Sequence, residues 1–179
     1  RAEDDPGETP LILPQIEHSL VTPPGRFGGS FRVDSSFLAL TRKQGTNSTR
    51  LSVRGHWFLP QIGKLGDVRS VIVEIKADGY LTSDVVDQQK PRTPNDDGLS
   101  SRLVPQVTLD WRLPLIRQEQ AARQVIEPII NASISPYGGN PSEIPNEDSL
   151  NFEFDDTNVF SDNRFPGIDR IEGGPRLNY

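Results

Sequence analysis

The sequence predicts an all-β fold of antiparallel up-and-down strands that form part of a large transmembrane β-barrel, and three observations carry the prediction. Apolar and polar residues alternate with a period of two in six separate segments. Each segment is about 10 residues long, which at ~3.3 Å rise and ~45° tilt crosses a hydrocarbon layer of roughly 25 Å. Fifteen glycines, 16 prolines, no methionine and sparse alanine work against long helices. No apolar run reaches the ~18 residues of a membrane helix. A mean hydropathy of −0.52 leaves a barrel open, because every second residue of a barrel strand is polar.

In chain order, the first segment sets Ile12, Pro14, Ile16, His18 and Leu20 against Gln15, Glu17 and Ser19. The second sets Phe31, Val33, Phe37 and Ala39 against Arg32, Asp34 and Ser36. In the third, Leu51, Val53, Gly55, Trp57 and Leu59 oppose Ser52, Arg54 and His56. The fourth opposes Val71, Val73, Ile75, Ala77, Gly79 and Leu81 to Ser70, Glu74, Lys76 and Asp78. Leu103 to Leu115 is the clearest: Leu103, Pro105, Val107, Leu109, Trp111, Leu113 and Leu115 share one side, with Gln106, Thr108, Asp110 and Arg112 on the other. The sixth places Ile126, Pro128, Ile130, Ala132 and Ile134 opposite Glu127, Asn131 and Ser133.

Connection lengths agree with this order. The gaps after strands one, three and five are short (TPPGRFGG, the QIGKLGD region and RQEQAARQ). The long gaps, Asp84 to Ser101 and Pro136 to about Gly174, follow strands four and six and so open to the opposite side. The gap after strand two, RKQGTNS, is short although it opens to that same side. A soluble antiparallel sheet with one face on a core produces the same alternation. Prolines at apolar strand positions (Pro14, Pro105, Pro128), equal strand lengths and the lack of a second layer to cover the apolar face weigh against it. A water-filled lumen needs more than six strands. Residues 1–179 therefore read as a partial outer-membrane barrel domain of about six strands plus the start of a seventh, with a long acidic, phenylalanine-rich loop over 136–174.

Charge is concentrated in that loop. Pro141 to Tyr179 holds nine acids against three arginines, the whole net charge of −6, and leaves the first 140 residues neutral. No clustered basic face is visible, which excludes nucleic acid as a partner. Zero cysteines exclude a disulfide framework, a thiolate metal site and a cysteine nucleophile. The chain opens on Arg1 with no leader, as a mature protein or a piece of a longer one does. His18 and His56 have no serine and carboxylate at a catalytic spacing, so no enzyme and no cofactor is expected. The sequons at Asn47 and Asn131 are short enough to occur by chance. Asp155, Asp156, Asn158 and Asp162 offer oxygen ligands but lack the spacing and glycine of an EF-hand loop, so they read as a solvated acidic loop without a metal.

The trailing segment carries a specific resemblance. Pro145-Asn146-Glu147-Asp148-Ser149, then Phe154-Asp155-Asp156-Thr157-Asn158, then Asn163-Arg164-Phe165-Pro166-Gly167 followed by Asp169-Arg170, resemble the signature region of the LptD (OstA) family, in its alphaproteobacterial branch. LPQ at 13–15, VPQ at 104–106 and EPII at 127–130 are similar to that family's barrel strands. The resemblance implies a section from the interior of a many-stranded barrel that inserts lipopolysaccharide into the outer leaflet of the outer membrane. It also implies an LptE-type plug lipoprotein, outer-membrane lipids, and periplasmic Lpt bridge components reached through a jellyroll domain that this sequence lacks. The disulfide of many members has no counterpart among these residues.

On this reading Gln106, Asp110, Arg112, Glu127, Asn131 and Ser133 line the lumen. The family-motif loop residues Asp155, Asp156, Asn158, Arg164, Phe165, Pro166, Gly167, Asp169 and Arg170 fold over or into its mouth, with Arg164 or Arg170 paired to Asp155, Asp156 or Asp169. The alternatives are a soluble β-rich binding module of adhesin or carbohydrate-binding type and, less favoured, an outer-membrane phospholipase.

Overall fold

A computed structural model describes residues 9–43, 45–83, 98–119 and 122–179. The strands are β1 (Leu11–Val21), β2 (Ser30–Thr41), β3 (Asn47–Ile62), β4 (Val68–Ser83), β5 (Gly98–Arg112), β6 (Leu115–Gln118), β7 (Arg123–Ile126), β8 (Ile129–Ile134) and β9 (Arg176–Asn178). Seven of them form one antiparallel sheet in the order β1-β2-β3-β4-β5-β8-β9, each next to its neighbour in the chain once the β6-β7 hairpin is set aside. The sheet is therefore all-β and up-and-down, and it does not close on itself among the described residues.

Two prolines explain why the expected fifth and sixth strands are each divided. Arg112 pairs with Ile129 and Leu115 with Ile126, so β5-β6 and β7-β8 keep one register through the break. Pro114 and Pro128 have no N–H to give the ladder, and across the gap only the Leu113 N–H reaches the Pro128 carbonyl, at 3.1 Å. The first strand also departs from simple alternation. A bulge between Ile12 and Gln15 shifts the register, so Ile12 pairs with Leu40 on the face opposite to that of Ile16, His18 and Leu20.

The sheet is inverted relative to a water-soluble one. Among the described residues only six apolar side chains are buried, against eighteen polar or charged ones. In β5, Arg102, Gln106, Thr108 and Asp110 are buried, while Leu103, Val107 and Leu109 are exposed. Leu51 and Val53 of β3, Ile75 and Leu81 of β4, and Ile130 and Ile134 of β8 continue the exposed apolar face. In water such a face costs about 25 cal/mol for each Å² left uncovered, whereas hydrocarbon imposes no such cost. Phe31 and Trp57 lie on that face 6.4 Å apart, and the Trp111 indole N–H donates to Asp67 in the β3-β4 turn. Aromatic side chains toward the short-turn end match the interfacial girdle of a membrane barrel.

The connections alternate between the two ends of the sheet, with the β2-β3 connection as short as the β3-β4 turn although it lies at the other end. Residues 22–29 and 63–67 turn at one end of the sheet, where β6 and β7 also pair; β2 ends and β3 begins at the other, where residues 135–175 leave β8. Residues 84–97 of the expected long gap from Asp84 to Ser101 lie outside the described residues; the flanking pairs are Asn47–Ser83 and Thr82–Gly98. Residues 135–175 turn back and lie along the polar face of β3, β4 and β5.

Replacing Leu109 by arginine should cost about 2–4 kcal/mol in a bilayer, and Leu109→Met close to nothing. Denaturant titration of the intact protein in lipid vesicles measures both; equal stability of the two variants contradicts the lipid-facing assignment.

Candidate functional site

The polar face is a grid of rows, each set by the strand register. One row crosses β2, β3, β4 and β5 as Arg32, His56, Glu74 and Gln106, and the next as Asp34, Arg54, Lys76 and Val104. Ser36, Ser52, Asp78 and Arg102 follow, then Leu38, Arg50, Tyr80 and Ser100. Alternation points all of these side chains to the same side, and the acidic loop covers much of them.

Loop and wall meet through buried charge. Arg50 Nη1 lies 2.6 Å from Asp169 Oδ1 and 2.6 Å from Asp148 Oδ2. The Tyr80 hydroxyl donates to Asp169 at 3.0 Å, and Arg102 donates to the Ile168 and Asp169 carbonyls at 2.8 and 2.7 Å. Lys76 donates to the Ile168 carbonyl at 2.5 Å, and Asp78 at 2.5 Å fixes the Arg102 guanidinium. The loop's two halves also cap one another. Asp169 Oδ2 accepts the N–H groups of Glu147 and Asp148 at 2.7 and 3.2 Å, while Asp148 Oδ1 accepts those of Ile168 and Asp169, both at 3.0 Å.

Gly167 makes this approach possible. Its φ is +81°, and a Cβ there would stand 2.5 Å from the Asp148 carbonyl oxygen. Gly139, at φ +87°, similarly leaves room for Ile171, which with Val104 is part of the small apolar patch between loop and wall.

The chain matches, over residues 1–179, the family described as LptD: LPS transport system D. It belongs to the LptD family. No curated protein matches it. The work of this LptD-family chain is lipopolysaccharide transport and assembly at the bacterial outer membrane, a transport role and not an enzymatic one, and lipopolysaccharide is its substrate. That membership sets aside both the soluble binding module and the phospholipase.

Of the residues expected to line a lumen, Gln106, Asp110, Asn131 and Ser133 lie buried on the polar face. Gln106 Nε2 donates to the Asp162 carbonyl at 3.2 Å, Asp110 accepts from Arg112 at 2.8 Å and from Asn131 at 3.4 Å, and Ser133 accepts from Arg176 at 3.1 Å. Arg112 is half-buried at the edge of this group. Glu127 is exposed and falls between β7 and β8, because Pro128 ends the pairing there.

In the motif loop, the expected pairing of Arg164 or Arg170 with Asp155, Asp156 or Asp169 does not form. Arg164 binds Glu172, with Nε 2.7 Å from Oε2, and stacks over Phe152 and Phe154 at 5.3 and 4.8 Å. Phe165 meets Phe152 edge to face at 4.8 Å, so the phenylalanines pack on each other and under Arg164. Asp169 is instead drawn to Arg50, whose charge is buried and needs it more. Arg170 contributes its backbone, donating to Ser149 Oγ and accepting from Asn163 at 3.0 Å each. Asp155 closes a turn by accepting from the Thr157 and Asn158 N–H groups, Asp156 is exposed, and Pro166 is exposed beside Gly167. Of the clamp residues, the sequence marks Lys76 and Asp78 only as polar-side residues of the fourth segment and Asp148 only within the 145–149 motif, and it does not point to Arg50, Tyr80 or Arg102. A signal was nevertheless present: basic residues recur at the polar parity of β3 to β5, opposite a loop with seven surplus negative charges.

Burial resists ionisation of Asp148, but the N–H groups of Asp169 and Ile168 and the Arg50 guanidinium outweigh it and lower the carboxyl from 3.8 to about 2. Burial likewise opposes ionisation of Glu172, and Arg164 and Arg176 prevail, lowering it from 4.5. A depressed folded value means that the contribution to docking is complete above the free-carboxyl value and is lost as pH falls toward the folded one. For Asp148 that window is pH 4 to 2, and at ~1.36 kcal/mol per unit the loss is about 2 kcal/mol. Pepsin cleavage within 135–175 should therefore rise steeply as pH drops from 4 toward 2, and rise less in Asp148→Asn. Unchanged cleavage across that range contradicts the clamp.

Proposed function

We propose that this LptD-family chain is a section of barrel wall from the interior of the domain, spanning 1–179, whose polar face borders the passage for lipopolysaccharide and whose apolar face meets outer-membrane lipid. The observation that carries the reading is the inversion of the sheet, whose strands among the described residues hold fourteen buried polar side chains behind an exposed apolar face. Residues 136–174 act as an internal loop that narrows the passage. The motifs at 145–149, 154–158 and 163–170 favour the alphaproteobacterial type.

Beside the docked loop a cleft of about 440 Å³ stays open over β1 and β2, lined among others by Ser19, Asp34, Arg54, Lys76 and Gly167. Its cations suit the phosphates of a lipopolysaccharide headgroup, which charge-assisted hydrogen bonds hold best. The uncovered polar side of β1 is the surface offered to an LptE-type plug lipoprotein, and periplasmic Lpt bridge components deliver the substrate through a jellyroll domain. Gln106, Asp110, Arg112, Asn131 and Ser133 then support the wall and loop, and Glu127 lies at the short-turn rim. Insertion into the outer leaflet is the outcome of passage along this face.

In-cell photo-crosslinking tests the reading. A benzoylphenylalanine at Ser19 of the intact protein should give adducts with lipopolysaccharide or the plug lipoprotein, and one at Leu109 should give neither. Adducts from Leu109 with none from Ser19 would reverse the assignment of the faces.

A further inference from the structure

We propose that His56, Glu74 and Asp162 form a binding site for a divalent transition metal of the zinc class, which fastens the far part of the loop to the wall. The site is independent of which ligand occupies the passage. His56 of β3 and Glu74 of β4 are direct register partners, with Gln106 of β5 next in the same row. Asp162 comes from the loop and is held over that row by its own backbone. Its carbonyl accepts from Gln106 Nε2 at 3.2 Å and from Arg176 Nη2 at 2.5 Å, which leaves its carboxylate free to turn toward the strand pair.

One ligand atom from each of the three side chains lies within 4.8 Å of the other two, and all three residues are half-buried. His56 Nδ1 is 3.8 Å from Glu74 Oε2, adjacent but too far for a hydrogen bond. Two carboxylates meet here; Arg54 forms only a loose ion pair with Glu74, at 3.6 Å and beyond hydrogen-bond distance, and Arg176 is engaged with the Asp162 carbonyl. Arg32, the register partner of His56, is already committed to Asp34 at 2.8 Å. A cation placed between the three donors therefore adds close neutralisation that Arg54, at 3.6 Å, supplies only in part.

The donor set selects the class of ion. Calcium and magnesium take oxygen ligands only, whereas one imidazole with two carboxylates suits zinc and its neighbours. Metal–ligand bonds of roughly 2.0–2.2 Å put tetrahedral donors about 3.4 Å apart. Closing from the observed separation takes side-chain movements on the order of 1 Å and leaves a fourth position for water. The position also makes structural sense: Arg50 grips the loop at Asp148 and Asp169, while around Asp162 the wall holds only a backbone carbonyl. An ion there adds a second anchor.

The test uses the intact protein in detergent, stripped with EDTA and titrated with zinc chloride by calorimetry, with metal content read by plasma mass spectrometry. Wild type should bind one more zinc per chain than Asp162→Asn or His56→Gln, and zinc should protect residues 135–175 from protease in wild type alone. Magnesium chloride should do neither. Asp162→Asn keeps the backbone contacts and the side-chain size, so it remains a valid comparator if His56→Gln does not fold, and heat-modifiable migration on gels verifies the barrel in each variant. Equal zinc stoichiometry and equal protection in wild type and Asp162→Asn overturn the proposal, as does protection by magnesium alone.

Discussion

Arg50 carries the contact on which the inner layer depends. Its guanidinium is buried in the wall, and it meets two carboxylates, Asp148 and Asp169, that lie 21 residues apart in the loop. A buried ion pair adds little when compared with an apolar replacement, but removing one partner strands the other charge and typically costs about 3–5 kcal/mol. The geometry converts that asymmetry into position. Because Asp148 and Asp169 also accept each other's backbone N–H groups, the loop presents both carboxylates to Arg50 as one preformed unit. Tyr80, Arg102 and Lys76 add donors to the same short stretch, so Ile168 and Asp169 are held from three strands at once.

The second constraint is the surroundings of the sheet. A single antiparallel sheet with charged side chains buried on one face and leucines, valines and isoleucines exposed on the other has no stable place in water. Hydrocarbon on the outside and a polar, loop-filled interior satisfy both faces, and only closed β-structure or helices can do this in a membrane. The LptD family supplies that setting, and the sheet order explains how the chain contributes to it. Each strand hands its free edge to the next, with β1 and β9 outermost among the described strands.

Alternation made the two faces legible from sequence because the strand period of two has few competitors over 10 residues. The faces of β3, β4 and β5 follow from it directly, and so does the end at which each connection lies. Where reading failed, a local exception was at work. The bulge at residues 13 and 14 exchanges the side on which Ile12 falls, and Pro114 with Pro128 divides strands that composition alone makes continuous. The loop pairings were harder. Arg164 has several acids near it in sequence, and nothing in the chain order says that Glu172 is its partner or that Asp169 belongs to Arg50. Those pairings depend on how far the loop descends along the wall, which is a tertiary quantity. The surplus of acids in the loop and of bases at the polar parity of the strands did signal that loop and wall are complementary.

The most direct test of the inverted sheet is a spin-label scan of residues 103–109 in the intact protein reconstituted in lipid. Single cysteine substitutions place the labels cleanly, since these 179 residues contain no cysteine. Labels at 103, 105, 107 and 109 should show high collision rates with oxygen and low rates with a water-soluble nickel chelate. Labels at 104, 106 and 108 should be shielded from oxygen by the docked loop, giving a period of two. High nickel accessibility at the odd positions, or oxygen accessibility without periodicity, would contradict the account.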